Sequence, residues 1–211
     1  MSVLATDNFN RADNADLGAN WTPMTGESAW SIASNAATCA VGSDSSERYS
    51  GLTWPDDQYA QAVIKQIGTA GSDVGPAILL RGASGARTFY RLLASAIGSG
   101  TSDSWVSKQV AGSYTNIAAV DSSGTWAVND VIYGEVKGTT IKLKRGAAEI
   151  ISTTDSAIAS GSPGIGYSGA DSSAPILDDW EAGDFSAFAY VAQTDRKRTT
   201  RPRPFAPGLA R

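Results

Sequence analysis

Short strand-like segments separated by glycine- and serine-rich turns constrain the fold of this 211-residue chain more than any other feature. Residues 58–67 read QYAQAVIKQI, and their two sets of alternate positions give the period near two that is typical of a β-strand. Similar segments predict strands over residues 77–81, 88–96, 105–110, 115–120, 131–137, 140–144 and 149–153. Glycine in the segments between them supplies the positive φ that tight turns require.

This spacing predicts an all-β fold, an antiparallel sandwich or barrel with very little helix. Charged residues make up 18% of the chain, and six Trp and seven Tyr are spread along it, which fits many short strands joined by small-residue turns. No repeat of fixed period is present, which argues against a solenoid or a propeller. About 185 residues look globular, enough for one domain with one core.

The chain contains one cysteine, Cys39, and no histidine. An internal disulfide, a histidine-ligated zinc site and a Ser-His-Asp triad are therefore excluded. The amino terminus has no signal-peptide pattern, and no apolar run approaches the ~20 residues of a membrane span. We therefore expect a product that is made in the cytoplasm and does not enter a membrane.

The carboxyl-terminal segment differs from the rest of the chain. Residues 195–211 hold six of the 17 basic side chains and one of the 21 acidic ones, so an acidic body carries a basic tail. Three prolines punctuate the tail, and Phe205 and Leu209 are its large apolar residues. We expect residues 191–211 to form an extended arm that does not fold alone, and residues 1–190 to form the globular domain.

Several stretches of the body fit one known pattern. They are an opening run of DNFNRAD, LGANW and WSIASN (7–13, 17–21 and 30–35), a late GTTIKL (138–143), and a closing PGIGY and ILDDW (163–167 and 176–180). Together they resemble the concanavalin A-like lectin/glucanase superfamily, in particular the laminin-G-like jelly-roll modules of bacterial and phage proteins. The resemblance spans residues 5–185.

The resemblance implies an antiparallel two-sheet jelly-roll sandwich with one concave face. In such a fold the first and last strands are neighbours, so Phe9 and Trp180 are both expected to fill the core. Glycosidases of the superfamily carry paired acids on one strand, because alternate residues project toward the sugar. This chain lacks that triplet, and its nearest candidates, Asp179 and Glu181, fall in the closing strand. We therefore expect a protein that is not an enzyme.

Candidate ligand-binding residues follow from side-chain chemistry. Trp and Tyr rings stack on sugars, and an arginine in a strand must face water, a partner or a carboxylate. The candidates for a sugar-binding face are Trp54, Arg81, Tyr90, Arg91 and Trp105, together with Tyr114, although for the aromatic residues a place in the core is the favoured alternative. No cofactor is expected; a structural calcium ion, held in some relatives near the paired termini, would here fall to Asp7, Asp178 and Asp179.

Three hypotheses for function follow. The first is a non-enzymatic phage virion component, a capsid decoration or tail-associated protein, docked on another virion protein through Arg196, Lys197, Arg198, Arg201, Arg203, Phe205 and Leu209. The second is a carbohydrate-binding module that recognises a surface glycan, and the third is a glycoside-active enzyme. Nucleic acid is disfavoured as a partner because the acidic body would repel it, and the sequence leaves open whether the chain forms a homo-oligomer.

Overall fold

The structure of the chain, a computed structural model, describes residues 1–67, 74–85, 87–95, 104–120, 126–169 and 173–185. Within these ranges the chain forms strands and turns without a helix, and the strands build two antiparallel sheets. This architecture confirms the predicted all-β, two-sheet jelly-roll sandwich. No helix in the described part of the chain is long and apolar enough to cross a membrane. The predicted arm, 191–211, lies outside the described residues.

The first sheet has eight strands, and its main path runs β13–β12–β11–β6–β15–β4–β3. The remaining strand, β1, pairs with β15. The bounds are β1 Ser2–Asp7, β3 Trp30–Ala33, β4 Ala36–Cys39, β6 Gln58–Gln66, β11 Val131–Lys137, β12 Thr140–Arg145, β13 Ala148–Thr154 and β15 Ile176–Asp184.

The second sheet has seven strands in the order β10–β9–β8–β7–β14–β5–β2. Its bounds are β2 Trp21–Pro23, β5 Ser45–Tyr49, β7 Gly75–Gly82, β8 Phe89–Ala94, β9 Ser104–Val110, β10 Ser113–Val120 and β14 Ser162–Ser168. The eight strands predicted from the sequence all occur, and each predicted boundary lies within two residues of the observed one.

The two ends of the domain meet, as predicted, because β1 pairs antiparallel with β15 from Ser2 opposite Asp184 to Asp7 opposite Trp180. Trp180 is buried against Tyr49 and Trp21, with ring centroids 5.1 and 4.8 Å apart. Phe9 is also fully buried, 5.9 Å from the Trp21 ring. The prediction that Phe9 and Trp180 fill the core is confirmed, and a cluster of stacked and edge-on aromatic rings closes this end of the sandwich.

A buried carboxylate links the two sheets. Glu47 of β5 is 1% exposed, and its Oε1 accepts a hydrogen bond of 2.7 Å from the backbone N–H of Trp30 in β3. Burial removes water from the carboxylate and raises the pKa of Glu47 to about 7 from its ordinary value of 4.5, although the hydrogen bond from Trp30 opposes the rise. The carboxyl group therefore titrates near neutral pH in the folded chain.

The raised pKa of Glu47 predicts a stability that falls as pH rises. Between pH 4.5 and about 7 the folded state binds the proton more tightly than the unfolded state, so the free energy of unfolding decreases with pH. The two pKa values correspond to a loss of about 3 kcal/mol, complete above about pH 8. Urea denaturation at pH 5, 6.5 and 8 measures this loss, and no histidine in the chain adds to it.

Glu47→Gln is the matched variant for this measurement, because its amide oxygen still accepts from Trp30 and it never ionises. We expect the variant to lose most of the pH dependence and to exceed the wild type in stability at pH 8. Equal pH slopes in the two proteins would assign the titration to another group.

Candidate functional site

The candidate site lies on the outer face of the seven-stranded sheet. Along β7, β8 and β9, alternate residues such as Ile78 and Leu92 point into the main core between the sheets. The intervening residues point to the other side, where Leu79 packs with Phe89, and Leu93 packs with Trp105, in two separate clusters. Both faces of these strands are therefore buried, which requires other segments to cover the outer face.

Four charged side chains form the centre of this outer face. Arg91 of β8, 3% exposed, donates from Nη2 to both oxygens of Glu27, at 2.9 and 3.1 Å, and from Nη1 to Asp44 Oδ2 at 3.1 Å. Arg87 donates to the same two carboxylates, at 2.7 Å to Glu27 and 3.4 Å to Asp44. The Glu27 side chain is completely buried. Two cations and two anions cancel, so this cluster adds no net charge to the face.

The cluster also fixes the orientation of Arg91. Its Nη2 donates to Ser46 Oγ at 3.0 Å, and its guanidinium lies 5.2 Å from the centre of the Phe89 ring. With both terminal nitrogens held by acceptors, the planar fork of an arginine has little freedom to rotate. The remaining nitrogen, Nε, is buried without a hydrogen-bond partner in the described part of the chain.

A shallow depression beside this cluster is lined by Arg91, Leu93, Trp105, Ser107, Tyr114 and Ser168. Tyr114 is 56% exposed, whereas Trp105 is 6% exposed and forms part of the floor. The enclosed volume is about 20 Å³, room for about one water molecule, so a ligand would lie across the surface instead of entering it. Gln109, next in alternation on β9, keeps its Oε1 buried without a partner among the described residues.

This arrangement suits a flat, hydroxyl-rich ligand. An exposed aromatic ring presents an apolar face, while the neighbouring hydroxyls of Ser107 and Ser168 offer donors and acceptors. Of the residues predicted from sequence for a sugar-binding face, the structure brings Arg91, Trp105 and Tyr114 together here.

The other three residues predicted for this face belong to the folded interior. Tyr90 is fully buried and donates its hydroxyl to Asp155 at 2.8 Å. Arg81 is buried at the end of β7 and donates to three backbone carbonyls. Trp54 packs in the aromatic cluster around Trp180. These side chains make contacts within the fold, and none of the three lines the depression.

Of the three residues predicted for a cation site, Asp7 is paired with protein groups. Both carboxylate oxygens of Asp7 pair with Arg11, at 2.6 and 3.0 Å, and Oδ2 also accepts from the Trp21 indole at 2.9 Å. Asp178 and Asp179 line a neighbouring cleft with three asparagines. Among the described residues, no group of three or more Asp, Glu, Cys or His side chains is placed to hold a metal ion. The arginine supplies the positive charge that a cation would bring to Asp7.

The two acids proposed for glycoside chemistry share a cleft of about 380 Å³ that is also lined by Asp7. Glu181 accepts hydrogen bonds from the Tyr59 hydroxyl at 2.8 Å and the Gln61 amide at 3.4 Å. Asp179 has a φ of 47°, and the pairing of β15 with β6 is irregular between Asp178 and Glu181. The strand is therefore irregular near Asp179, yet both acids line the same cleft on either side of the buried Trp180.

Several residues of the site escaped the sequence analysis. Glu27 and Asp44 lie outside the predicted strands, and their spacing to Arg91 in sequence, 64 and 47 residues, gives no local signal. Ser107 and Gln109 lie in a predicted strand, but which of its faces is covered depends on the packing. The sequence contained one signal for the acidic partners: Arg91 lies within the apolar run of β8, and a buried arginine requires a partner.

Comparisons with known proteins show which solved structures share this fold. No family model matches the sequence, and no curated protein matches it. Solved structures do match: a carbohydrate-binding module, CBM66, from Bacillus subtilis has 17% identity and a TM-score of 0.63, over 80% of this chain and 98% of that one. A Bacillus subtilis protein of unknown function with a galectin-like fold has 11% identity and a TM-score of 0.60, over 87% and 96%.

The exoplasmic/lumenal domain of VIP36, solved in a calcium- and Man2-bound form, has 9% identity and a TM-score of 0.55, over 86% of this chain and 90% of that one. At these identities the matches establish a shared fold. They agree with the concanavalin A-like sandwich that the sequence resembles.

Proposed function

We propose that this protein is a carbohydrate-binding module that recognises a glycan on the outer face of its seven-stranded sheet. The observation that carries the proposal is the depression in which the exposed Tyr114 ring, the Trp105 floor and the anchored Arg91 meet. Two of the similar structures are, by their names, a carbohydrate-binding module and a domain in a Ca2+/Man2-bound form. Fold alone does not assign a ligand, so the chemistry of the depression supports the proposal more strongly than the likeness does.

The larger cleft beside β1 and β15 suits a sugar less well. Its lining includes Asp7, which is already paired with Arg11, and Trp180, whose ring is buried. A sugar ring there would find polar groups but no exposed aromatic face. The depression near Tyr114 offers both kinds of contact.

Tyr114→Ala tests the proposal with little risk to folding, because the side chain is largely exposed. A glycan array identifies ligands of the full chain, and calorimetry with the strongest of them measures affinity. We expect Tyr114→Ala to weaken binding about tenfold or more, since stacking on an aromatic ring contributes about 1–3 kcal/mol.

Two variants serve as controls. Tyr114→Phe keeps the ring and is expected to retain affinity within about threefold if stacking dominates. Val128→Ala removes an exposed apolar side chain outside the lining of the depression and is expected to leave binding unchanged. An array without any glycan hit, or full affinity in Tyr114→Ala, would exclude the proposed face.

Two sequence-based hypotheses stay predictions. Docking on a phage particle depends on residues 191–211, which lie outside the described residues. Neither the fold comparisons nor the described contacts bear on a virion partner, a homo-oligomer or a location in a virion. The expectation that the chain is not an enzyme stays a prediction as well.

A further inference from the structure

A second site is suggested by an arginine that has no acid beside it. Arg48 of β5 is half-buried, and its backbone pairs with β2 and β14, but its side chain makes no hydrogen bond to the described residues and no carboxylate oxygen among them lies within 4.0 Å of its guanidinium. The other two arginines of the outer face, Arg87 and Arg91, are each paired with two acids. A guanidinium that no acid of the described chain pairs with is available to an anionic ligand.

Arg48 lies on the same outer face of the seven-stranded sheet as the depression, but several strands away from it. Ser46, two residues earlier in β5, accepts from Arg91, so strand alternation places Arg48 on the Arg91 side of the sheet. A Cβ on Gly82 would lie 3.3 Å from the Arg48 Cβ and 3.5 Å from the Met24 sulfur. Four strand spacings separate β5 from β9, which amounts to about 19 Å.

An open cleft of about 280 Å³ lies beside Arg48 and contains several free donors. Its lining includes four hydroxyl side chains, none with a hydrogen-bond partner in the described part of the chain: Thr53, Ser84, Ser160 and Ser162. Gly82 and Gly161 line the same cleft, and their backbones pack closely against neighbouring segments: a Cβ on Gly161 would lie 2.5 Å from the Arg81 carbonyl oxygen. Among the described residues that line it, none is acidic.

One cation surrounded by hydroxyls is a suitable receptor for a single anionic group. The planar guanidinium matches a carboxylate, sulfate or phosphate with two parallel hydrogen bonds, and hydroxyls donate to the remaining oxygens. The electrically balanced cluster around Arg91 cannot supply that attraction. The Arg48 cleft therefore has the charge that the depression lacks.

We infer that the Arg48 cleft binds the carboxylate, sulfate or phosphate group of a small anionic ligand. The inference does not depend on glycan binding at Tyr114, because the two sites share none of their lining residues. If both sites operate, the protein distinguishes acidic from neutral glycans. If the Tyr114 depression binds nothing, the cleft remains a site for small anions.

Titrations of the isotope-labelled full chain, followed by NMR, test this inference with four probes: glucose, glucuronate, sodium sulfate and sodium phosphate. We expect the anions, but not glucose, to shift the signals of residues 48, 82, 84 and 160–162, and the shifts to weaken with added sodium chloride because salt screens the attraction. Tighter binding of glucuronate than of sulfate or phosphate would identify an acidic sugar as the ligand, and the reverse order would identify a free anion.

Arg48→Gln is expected to reduce affinity for the bound anions about tenfold, since a charge-assisted pair is lost. Lys65→Gln, which removes one positive charge from an exposed position on the other sheet, is expected to change it less than about twofold. Thermal unfolding verifies that both variants fold, and Ser160→Ala gives a second variant with the arginine intact. Unmoved signals with all three anions, or equal anion affinity in Arg48→Gln and the wild type, would overturn the inference.

Discussion

Replacing Trp180 by alanine is expected to lower the free energy of unfolding by about 3–5 kcal/mol. The ring is 1% exposed and stands between Tyr49, Trp21 and Trp54, with centroids 5.1, 4.8 and 6.4 Å away. Its removal leaves a cavity in which the neighbouring rings cannot all repack, because Tyr49 and Trp21 are held in strands of the seven-stranded sheet and Trp54 in a loop. A domain of this size has a total stability of about 5–15 kcal/mol, so a large part of it would be lost.

Trp180→Phe is the matched control for this experiment. The smaller ring keeps much of the stacking, and it removes an indole N–H that is buried without a partner in the described residues. We therefore expect it to cost less than half of what the alanine variant costs. Urea denaturation followed by circular dichroism measures both, and a loss below about 1 kcal/mol for Trp180→Ala would contradict the central role of this ring.

Arg81→Ala is expected to cost about 3 kcal/mol of stability. The buried guanidinium donates to the carbonyls of Asp56, Ile158 and Gly138, at 2.9, 2.8 and 2.8 Å, and so joins three separate loops. Alanine leaves these acceptors to find water, and it keeps the unfavourable positive φ of 51° at this position.

Arg81→Lys distinguishes the contribution of the positive charge from that of the three hydrogen bonds that the guanidinium donates. An ammonium group keeps the charge near Asp57 but cannot reach three carbonyls that lie in different directions, so we expect an intermediate loss. Lys137→Gln, at an exposed position near the same loops, should cost less than about 0.5 kcal/mol. If Arg81→Lys is as stable as the wild type in urea, then charge alone explains the role of Arg81.

The strands were predictable because their signal is local. Alternation within ten residues and glycine in the turns located β6 to β13 to within two residues, and the motif in 176–180 located the last strand beside the first. The buried positions of Phe9 and Trp180 followed from the same reasoning, since a large aromatic side chain at the meeting point of two terminal strands has little alternative to the core.

The binding surface was predictable only in part. The sequence named Arg91, Trp105 and Tyr114, but it grouped them with Tyr90, Arg81 and Trp54, which are buried elsewhere. Tyr90 and Arg91 are neighbours on one strand and point to opposite sides, so any rule based on residue type alone would treat them alike. Arg48 attracted no notice, because its significance is the absence of a nearby acid among the described residues, and that becomes visible in three dimensions.

The sequence by itself determined the class of the fold, the positions of most strands and the exclusion of histidine- and disulfide-dependent chemistry, because these depend on local periodicity and on which residue types are present. Tertiary structure alone decided which face of each strand is covered and which charges are paired. Glu27 and Asp44 reach Arg91 across 64 and 47 residues. Their approach is set by the order of strands in the sheets, and strand alternation contains no information about that order.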